Sequence, residues 1–468
     1  MPPVKKRLLI TISFSFSIRY LYRSGLLHKL NDFCSPVVCL TWDQPDLIEE
    51  LQRDGFEVHI CPENKKGRTY TDVRHKIDIW FKYFRLNSPS KKIQSSYIES
   101  FAPFKSKYIR RGRELYNYIK FFFPRVSERL LAKEKQLLHS DTNYNELAAF
   151  VNSLNIDAVF SVTPFHRQED ILLRVCEDKK KLMLTAILSF DNVTKRGWIP
   201  VAYDMYIVWN KHNKKELQRI YPETPSEKIH VAGAVQFDFY FKNSNLLDKD
   251  TWEKMTGLSV MPRNRKVILY AGGPRSLFPQ EPDYLKDIDE AINSGAIEGN
   301  PVVLFRAHPI DNLDRWKKAL GDTKNVVFDA SWTGEKQLGE ANITDFDIKK
   351  LCSTLYYTDV HINLCSTMTV DGSAFNKPQI GPAYFKNSAV ISKRLYKMYW
   401  QEHFAPIMQT GAVPLAKSKE ELIKLINSAM HVPQNSLNAS SQAILESVIT
   451  FTDGNSTKRV CALLKTKL

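Results

Sequence analysis

The sequence predicts an α/β protein of two tandem Rossmann-like domains, and three observations carry that prediction. Short apolar runs alternate with helix-patterned segments along both halves of the chain, which implies βαβ units around parallel sheets. The chain has 468 residues, more than one hydrophobic core usually organises, so two large domains are the natural division. A looser passage beginning near Tyr221 and punctuated by Pro222, Pro225, Gly233 and Pro262 separates the two alternating runs.

The first run reads as a strand over 8–15, a helix over 20–30, a strand over 37–41, a helix over 46–53 closed by Gly55, and a strand over 56–60. About 75 residues rich in Tyr, Phe, Lys and Arg then interrupt it. It resumes with a helix over 145–154, a strand over 158–162, a helix over 170–177 and strands over 182–188 and 206–209. The second run has strands over 267–271, 302–305, 326–329 and 360–364, with helices over 282–294, 312–320 and 347–357 between them. The tail is helical in pattern over 420–430 and 440–468. The expected organisation is a first, acceptor domain over 1–220 with a basic helical insertion at about 62–140, and a second, nucleotide-donor domain over 221–440. A helical tail over 441–468 then packs back on the first domain, and the two domains face an interdomain cleft.

Lys and Arg number 66 against 51 Asp and Glu, a formal charge of +15. The surplus is concentrated: residues 61–135 hold 19 basic and 7 acidic side chains. The seven cysteines are scattered and never form Cys-x-x-Cys, which fits reduced thiols in a cytoplasmic protein. Lys5-Lys-Arg7 and the following apolar stretch resemble a signal peptide, but serine interrupts the stretch at alternate positions and Arg19 ends it, so a first strand is the better reading. No run reaches the ~18 apolar residues of a membrane span. Four Asn-x-Ser/Thr sequons, at Asn192, Asn342, Asn438 and Asn455, have no use in that compartment.

Three elements could hold a phosphorylated ligand. Ala271-Gly-Gly-Pro274 follows a strand, and its glycines let the backbone approach a ligand, although a plain strand-end turn explains it as well. Arg306-Ala-His-Pro309 follows the strand 302–305, and guanidinium and imidazole both suit diphosphate oxygens; a loop with one salt-bridged Arg and one solvated His is the plain alternative. Ser366 and Thr367 follow the strand 360–364 and offer hydroxyls to phosphate. Asp371, one helical turn further on, suits ribose hydroxyls or simply the start of a helix.

The order of short motifs from Ser189 to Pro378 resembles the GT-B glycosyltransferases, and within them the CDP-glycerol glycerophosphotransferase-like and related bacterial surface-polysaccharide enzymes. The motifs are Ser189-Phe-Asp-Asn-Val-Thr-Lys-Arg-Gly197, Asp204-Met-Tyr-Ile-Val-Trp-Asn210, Val231-Ala-Gly-Ala-Val-Gln-Phe-Asp238, Arg306-Ala-His-Pro309 and Ser366-Thr-Met-Thr-Val-Asp371 with Lys377-Pro378. The resemblance implies that His308, Ser366 and Thr367 lie on the donor diphosphate, and that Asp371 and Gly272-Gly273 belong to the nucleotide side of the same pocket. Where the glycerophosphotransferases carry a His-Gly motif with a catalytic histidine, this chain has Asp191-Asn192. That difference favours sugar transfer, with Asp191 as candidate general base and His166 as its rival. A loop aspartate before a turn and a cleft-rim histidine are the ordinary readings of those two residues. GT-B enzymes of this kind generally need no metal, and no Asp-x-Asp cluster suggests one. The nucleotide-sugar donor is a co-substrate and no cofactor is expected.

The stretch from Lys105 to Pro124 mixes cations with aromatic rings, and an anionic membrane surface is a candidate partner through 105–135. A solvated helical insertion is the competing reading. Nucleic acid ranks last, because no recognisable module accompanies the charge. The expected function is therefore a glycosyltransferase that moves a sugar from a nucleotide donor to a glycan or lipid-linked acceptor, in the cytoplasm and peripheral at the inner membrane face. The alternatives are a CDP-glycerol-type glycerophosphotransferase, a nucleotide-sugar epimerase of the same fold, or a non-catalytic nucleotide-sugar-binding scaffold.

Overall fold

Strand and helix segments alternate as the apolar pattern requires, and all thirteen strands assigned among the described residues pair in parallel within two sheets. The structure, a computed structural model, describes residues 5–262, 264–311, 313–332 and 341–468. The first sheet contains β1 (Arg7–Ile12), β2 (Ser35–Leu40), β3 (Glu57–Ile60), β4 (Ala158–Ser161), β5 (Leu182–Ala186), β6 (Met205–Val208) and β7 (Ile229–Val231), in the order β3-β2-β1-β4-β5-β6-β7. The second contains β8 (Val267–Ala271), β9 (Val302–Arg306), β10 (Val326–Asp329), β11 (Val360–Asn363), β12 (Gln379–Pro382) and β13 (Leu415–Ala416), in the order β10-β9-β8-β11-β12-β13. Each sheet is doubly wound, as expected of a Rossmann-like domain.

Strands of a parallel sheet covered on both faces read as continuous apolar runs, and β1 illustrates it. Leu8, Ile10 and Ile12 face one core with Leu26, Leu27 and Leu30, while Leu9 faces the other with Tyr70, Ile171 and Val175. Each large side chain so covered contributes roughly 1.5–3 kcal/mol relative to exposure.

The chain forms two compact units. One comprises Met1–Lys91, Ala102–Gln236 and Asn455–Leu468; the other comprises Lys92–Phe101 and Phe237–Gly454. The first unit therefore extends past residue 220, because β7 pairs with β6. Its C-terminal helix, Ser456–Lys465, places Val460 and Leu464 in the same core as Leu26 and Leu30, whereas residues 441–454 stay with the second unit. Residues 92–101 leave the insertion for the second unit. There Tyr97 accepts a hydrogen bond from Gln280 (2.5 Å) and its ring lies 5.9 Å from that of Phe278, while Arg394 donates to the Ser96 carbonyl.

Local departures from expectation have local causes. The expected helix over 20–30 is divided by a wide π turn at Arg19–Arg23 and by Gly25 in a left-handed conformation (φ 78°). The expected helix over 312–320 runs Leu313–Leu320, and Asn312 lies outside the described residues.

The insertion contains the helices Arg68–Trp80, Phe104–Phe121 and Pro124–Ser140. A bridge between Lys66 and Thr142 brings its two ends together, and the Gly67 amide donates to the Asp141 carbonyl (2.7 Å). A β-carbon at Gly67 would overlap the Asp141 carboxylate, which is engaged by the Tyr70 amide (2.7 Å), so glycine is required at this closure.

Buried charge fastens the insertion to the helix Asp170–Asp178 that follows β4. Glu134, 1 % exposed, takes an ion pair from Arg174 (2.9 Å), another from Arg74 (3.5 Å) and a hydrogen bond from Tyr70 (2.9 Å). Asp170 pairs with Lys66 (2.9 Å) and Arg74 (3.5 Å), and both guanidiniums lie over the Trp198 ring. Replacing Glu134 by Ala leaves Arg174 buried without its carboxylate and Arg74 with Asp170 alone. We expect the first unit to lose about 3–5 kcal/mol, read as a lowered first-unit unfolding transition, whereas Glu57→Ala at the exposed pair with Arg7 should cost under about 1 kcal/mol.

Candidate functional site

Open parallel sheets bind ligands beyond the carboxyl ends of their strands, where the strand order reverses. In the second sheet that point lies between β8 and β11. Register places Ala271 level with Arg306 on one side and with Asn363 on the other. The three expected donor elements therefore leave adjacent strands side by side.

The Gly272-Gly273 turn is held from beneath. Gly273 donates its amide to both carboxyl oxygens of Glu281 (3.0 and 2.8 Å), and the Gly272 amide bonds the Arg306 carbonyl (2.9 Å). A β-carbon on Gly273 would stand 2.5 Å from the Phe278 ring, so the close approach needs glycine. Glu281 is fully buried, and desolvation lifts its pKa to about 8 against the opposing pull of the Gly273 amide. Sequence reasoning missed Glu281, whose only signal is an acid at the first position of the helix Glu281–Asn293.

His308 is partly exposed after β9. Its Nδ1 accepts from the Ile310 amide (3.3 Å), which leaves the proton of the neutral ring on Nε2; burial holds its pKa below the usual value. A neutral N–H donor is the form it presents at pH 7.

Arg306 differs from expectation. It is 9 % exposed, its guanidinium pairs with Asp329 (3.2 Å) and donates to the Ser331 carbonyl (2.6 Å), and Lys350 sits on the other Asp329 oxygen (2.5 Å). Its charge is balanced inside the fold rather than open to a phosphate.

After β11 the chain turns sharply, with Cys365 left-handed (φ 37°). The turn is stitched by Asn363, whose side-chain oxygen accepts from the Ser366 amide (3.2 Å) and the Thr369 hydroxyl (2.8 Å). The Ser366 hydroxyl accepts from the Met368 amide (3.3 Å). Thr367 is exposed and its side chain makes no capping bond to the helix Met368–Ser373. Asp371 is 6 % exposed and accepts from the Tyr240 hydroxyl (2.7 Å), a buried bond where ribose contact was expected.

In the first unit the order reverses between β1 and β4. His166 follows β4, and burial together with the Arg196 charge pushes its pKa down to about 4, so it is neutral at pH 7 and a weak base. Asp191 precedes the short helix Asn192–Lys195, accepts from the Asn192 amide side chain (3.1 Å) and lies 3.5 Å from Lys195. Between them in sequence lies a residue that sequence reasoning also missed. Glu169 is fully buried beneath the ends of β1 and β4, accepts from Ser161 (2.9 Å) and Thr163 (2.7 Å), and is raised to about 7 by desolvation.

With this geometry in place, the comparisons with known proteins are specific. The model of the CDP-glycerol:poly(glycerophosphate) glycerophosphotransferase family matches residues 193–466, over half of the chain. The chain belongs to that family. No curated protein matches it. Among solved structures, the UDP-GlcNAc 2-epimerase of Neisseria meningitidis bound to UDP-GlcNAc is 10% identical, with 98% of this chain and 100% of that one covered at a TM-score of 0.56. The epimerase of Methanocaldococcus jannaschii is 12% identical (99% and 100% covered, TM-score 0.54), and a glycosyltransferase of Rickettsia africae is 11% identical (99% and 98%, 0.53). At such identities the likeness is one of fold. Family membership makes the chain a transferase of GT-B architecture. The matched span contains every residue of the three expected donor elements and omits Asp191, His166 and the whole insertion.

Glu281 supplies a pH test. Its folded pKa is raised, so its contribution to stability is complete below about 4.5 and is lost as pH rises through about 8. Between pH 5 and 9 the second unit should lose on the order of 4 kcal/mol from this group. Glu281→Gln keeps an acceptor for the Gly273 amide without a charge to bury. Thermal unfolding of the variant should have a distinctly flatter pH dependence than the parent.

Proposed function

We propose that this transferase moves a sugar from a nucleotide-activated donor to a glycan or lipid-linked acceptor of a cell-surface polymer, with the donor as co-substrate. The carrying observation is the convergence of Gly272-Gly273, His308 and Ser366-Thr367 on adjacent strand ends at the reversal point of the second sheet. In this reading the His308 Nε2–H and the Thr367 hydroxyl meet diphosphate oxygens and stabilise the charge that grows as the nucleoside diphosphate departs. Asp191 takes the proton of the acceptor hydroxyl. Its carboxylate accepts from the Asn192 side chain and lies 3.5 Å from Lys195, at the start of a short helix after β5, and His166 remains the rival base. A second reading, transfer of glycerol phosphate from CDP-glycerol, is favoured by the family match itself. Product analysis separates the two.

We place the reaction at an anionic membrane surface. The helix Phe104–Phe121 and the residues after it expose Tyr108, Ile109, Leu115, Tyr116, Ile119, Phe122 and Phe123, each at least 58 % accessible, beside exposed Arg111, Arg113 and Lys120. Helical spacing puts Tyr108, Leu115, Ile119 and Phe122 on one stripe, the pattern of a helix lying in a lipid interface. Among the described residues no helix is long and apolar enough to cross a membrane.

His308→Ala should lower donor-dependent turnover about 100-fold or more; unchanged turnover with unchanged nucleoside diphosphate binding would refute the donor assignment. Leu115→Glu with Ile119→Glu should abolish flotation with vesicles containing phosphatidylglycerol while sparing nucleoside diphosphate binding. Equal flotation of variant and parent would remove the membrane claim.

A further inference from the structure

Within the first unit, a pocket of about 640 Å³ opens between the insertion helix Arg68–Trp80 and the segments that follow β4 and β5. Its polar lining is lopsided. Arg74 is committed to Glu134 and Asp170, and Arg167 to Asp78, the pocket's one lining carboxylate. Lys82, Lys91 and Arg196 then remain, and none of the three is recorded in an ion pair with a carboxylate among the described residues. Lys91 is half-buried, and its pKa falls to about 8 through desolvation and the charges of Lys82 and Arg196, with Asp78 opposing. Five cations, Arg74, Lys82, Lys91, Arg167 and Arg196, line a pocket with one carboxylate, Asp78, and that excess suits an anion.

The remaining lining narrows the chemistry. Phe165, Phe81 and Trp198 border the pocket, and Trp198 is fixed by the two guanidiniums over its ring. Such rings suit the C–H faces of a sugar or polyol, and three cations suit the several oxygens of a phosphate better than one carboxylate. The volume admits a phosphate together with the unit that carries it. We infer that Lys82, Lys91 and Arg196 form a subsite for the phosphoryl group of a sugar- or polyol-phosphate, in the acceptor-side unit. All of its lining except Arg196, Gly197 and Trp198 lies outside the span matched by the family model, so most of the subsite is built from this chain's own insertion and β4 loop. The assignment rests on the transferase reading only for its name as an acceptor subsite; the binding of phosphate stands without it.

The groups facing Lys91 are Lys82, Asp78 and Arg196, with His75, His166 and Arg167 completing the titratable lining, and His166 is neutral throughout the range used here. Anion binding therefore favours charged Lys91, and affinity should fall as pH rises through about 8. Glycerol 3-phosphate keeps its own charge above pH 7.5, so the change belongs to the protein.

The test uses the full chain, with binding of glycerol 3-phosphate read by calorimetry. The double variant Lys91→Gln, Arg196→Gln should bind it about tenfold or more weakly, and Lys91→Gln alone should remove the fall in affinity between pH 7.5 and 9.5. Nucleoside diphosphate binding, measured on the same samples, reports on the fold and on the donor reading separately. Flotation with phosphatidylglycerol vesicles distinguishes sources. Loss of glycerol phosphate binding with flotation retained assigns a soluble or polymeric phosphate, and loss of both assigns a lipid headgroup. Full affinity for glycerol phosphate in the double variant, or an unaltered pH profile in Lys91→Gln, would overturn the subsite.

Discussion

The first unit is organised by one buried ionic knot, in which Glu134 and Asp170 hold Lys66, Arg74 and Arg174 across three separate parts of the chain. The helix Asp170–Asp178 that follows β4, the insertion base and the insertion return each contribute a member, so none can move without uncovering a charge. Pairs of this kind are weak evidence for net stability, because desolvation consumes most of their attraction. Their value lies in register. An insertion rich in Lys and Arg could pack many ways on an apolar sheet face, and only one of them neutralises both carboxylates. Trp198, clamped under the two guanidiniums, carries that register into the segment following β5.

The same accounting of charge separates structural from functional cations throughout the molecule. Arg306 and Lys350 share Asp329, and Lys386 and Lys419 share Asp287, each around a carboxylate 1–2 % exposed. Beneath the reversal point of each sheet lies a different device, a buried glutamate that binds the backbone or hydroxyls of the strand ends: Glu281 under the Gly272-Gly273 turn and Glu169 under Ser161 and Thr163. Both carboxyls are pushed toward neutral pH by desolvation, so they fix the loops as hydrogen-bonding groups without placing a full negative charge near an edge suited to phosphate.

Period and turn chemistry made most of the fold legible. Strands such as β1, β8 and β9 are buried on both faces and announce themselves as apolar runs. β12 did not, because Gly381 and Pro382 make Gln379–Pro382 read as a turn, and β7 and β13 span only three and two residues. At the site, the positions of Gly272, Gly273, His308, Ser366 and Thr367 followed from strand ends alone. The state of Arg306 and Asp371 did not, since their partners Asp329 and Tyr240 lie 23 and 131 residues away and only tertiary structure joins them. Glu169 and Glu281 were invisible for the related reason that burial, which gives them their character, has no local signature.

The span that the family model matches and the span before it differ physically. The family-matched span holds the strand ends at the reversal point of the second sheet, with Gly272-Gly273, His308 and Ser366-Thr367. The insertion lies outside it and carries the basic surplus, the exposed aromatic stripe and most of the uncompensated pocket. Desolvation and neighbouring cations outweigh Asp78 at Lys91 and disfavour its charged form. The base of the same insertion is held by Glu134, Asp170, Arg74 and Arg174, all buried, and by Lys66, so the excess of cations in the pocket sits on a segment whose attachment does not depend on it.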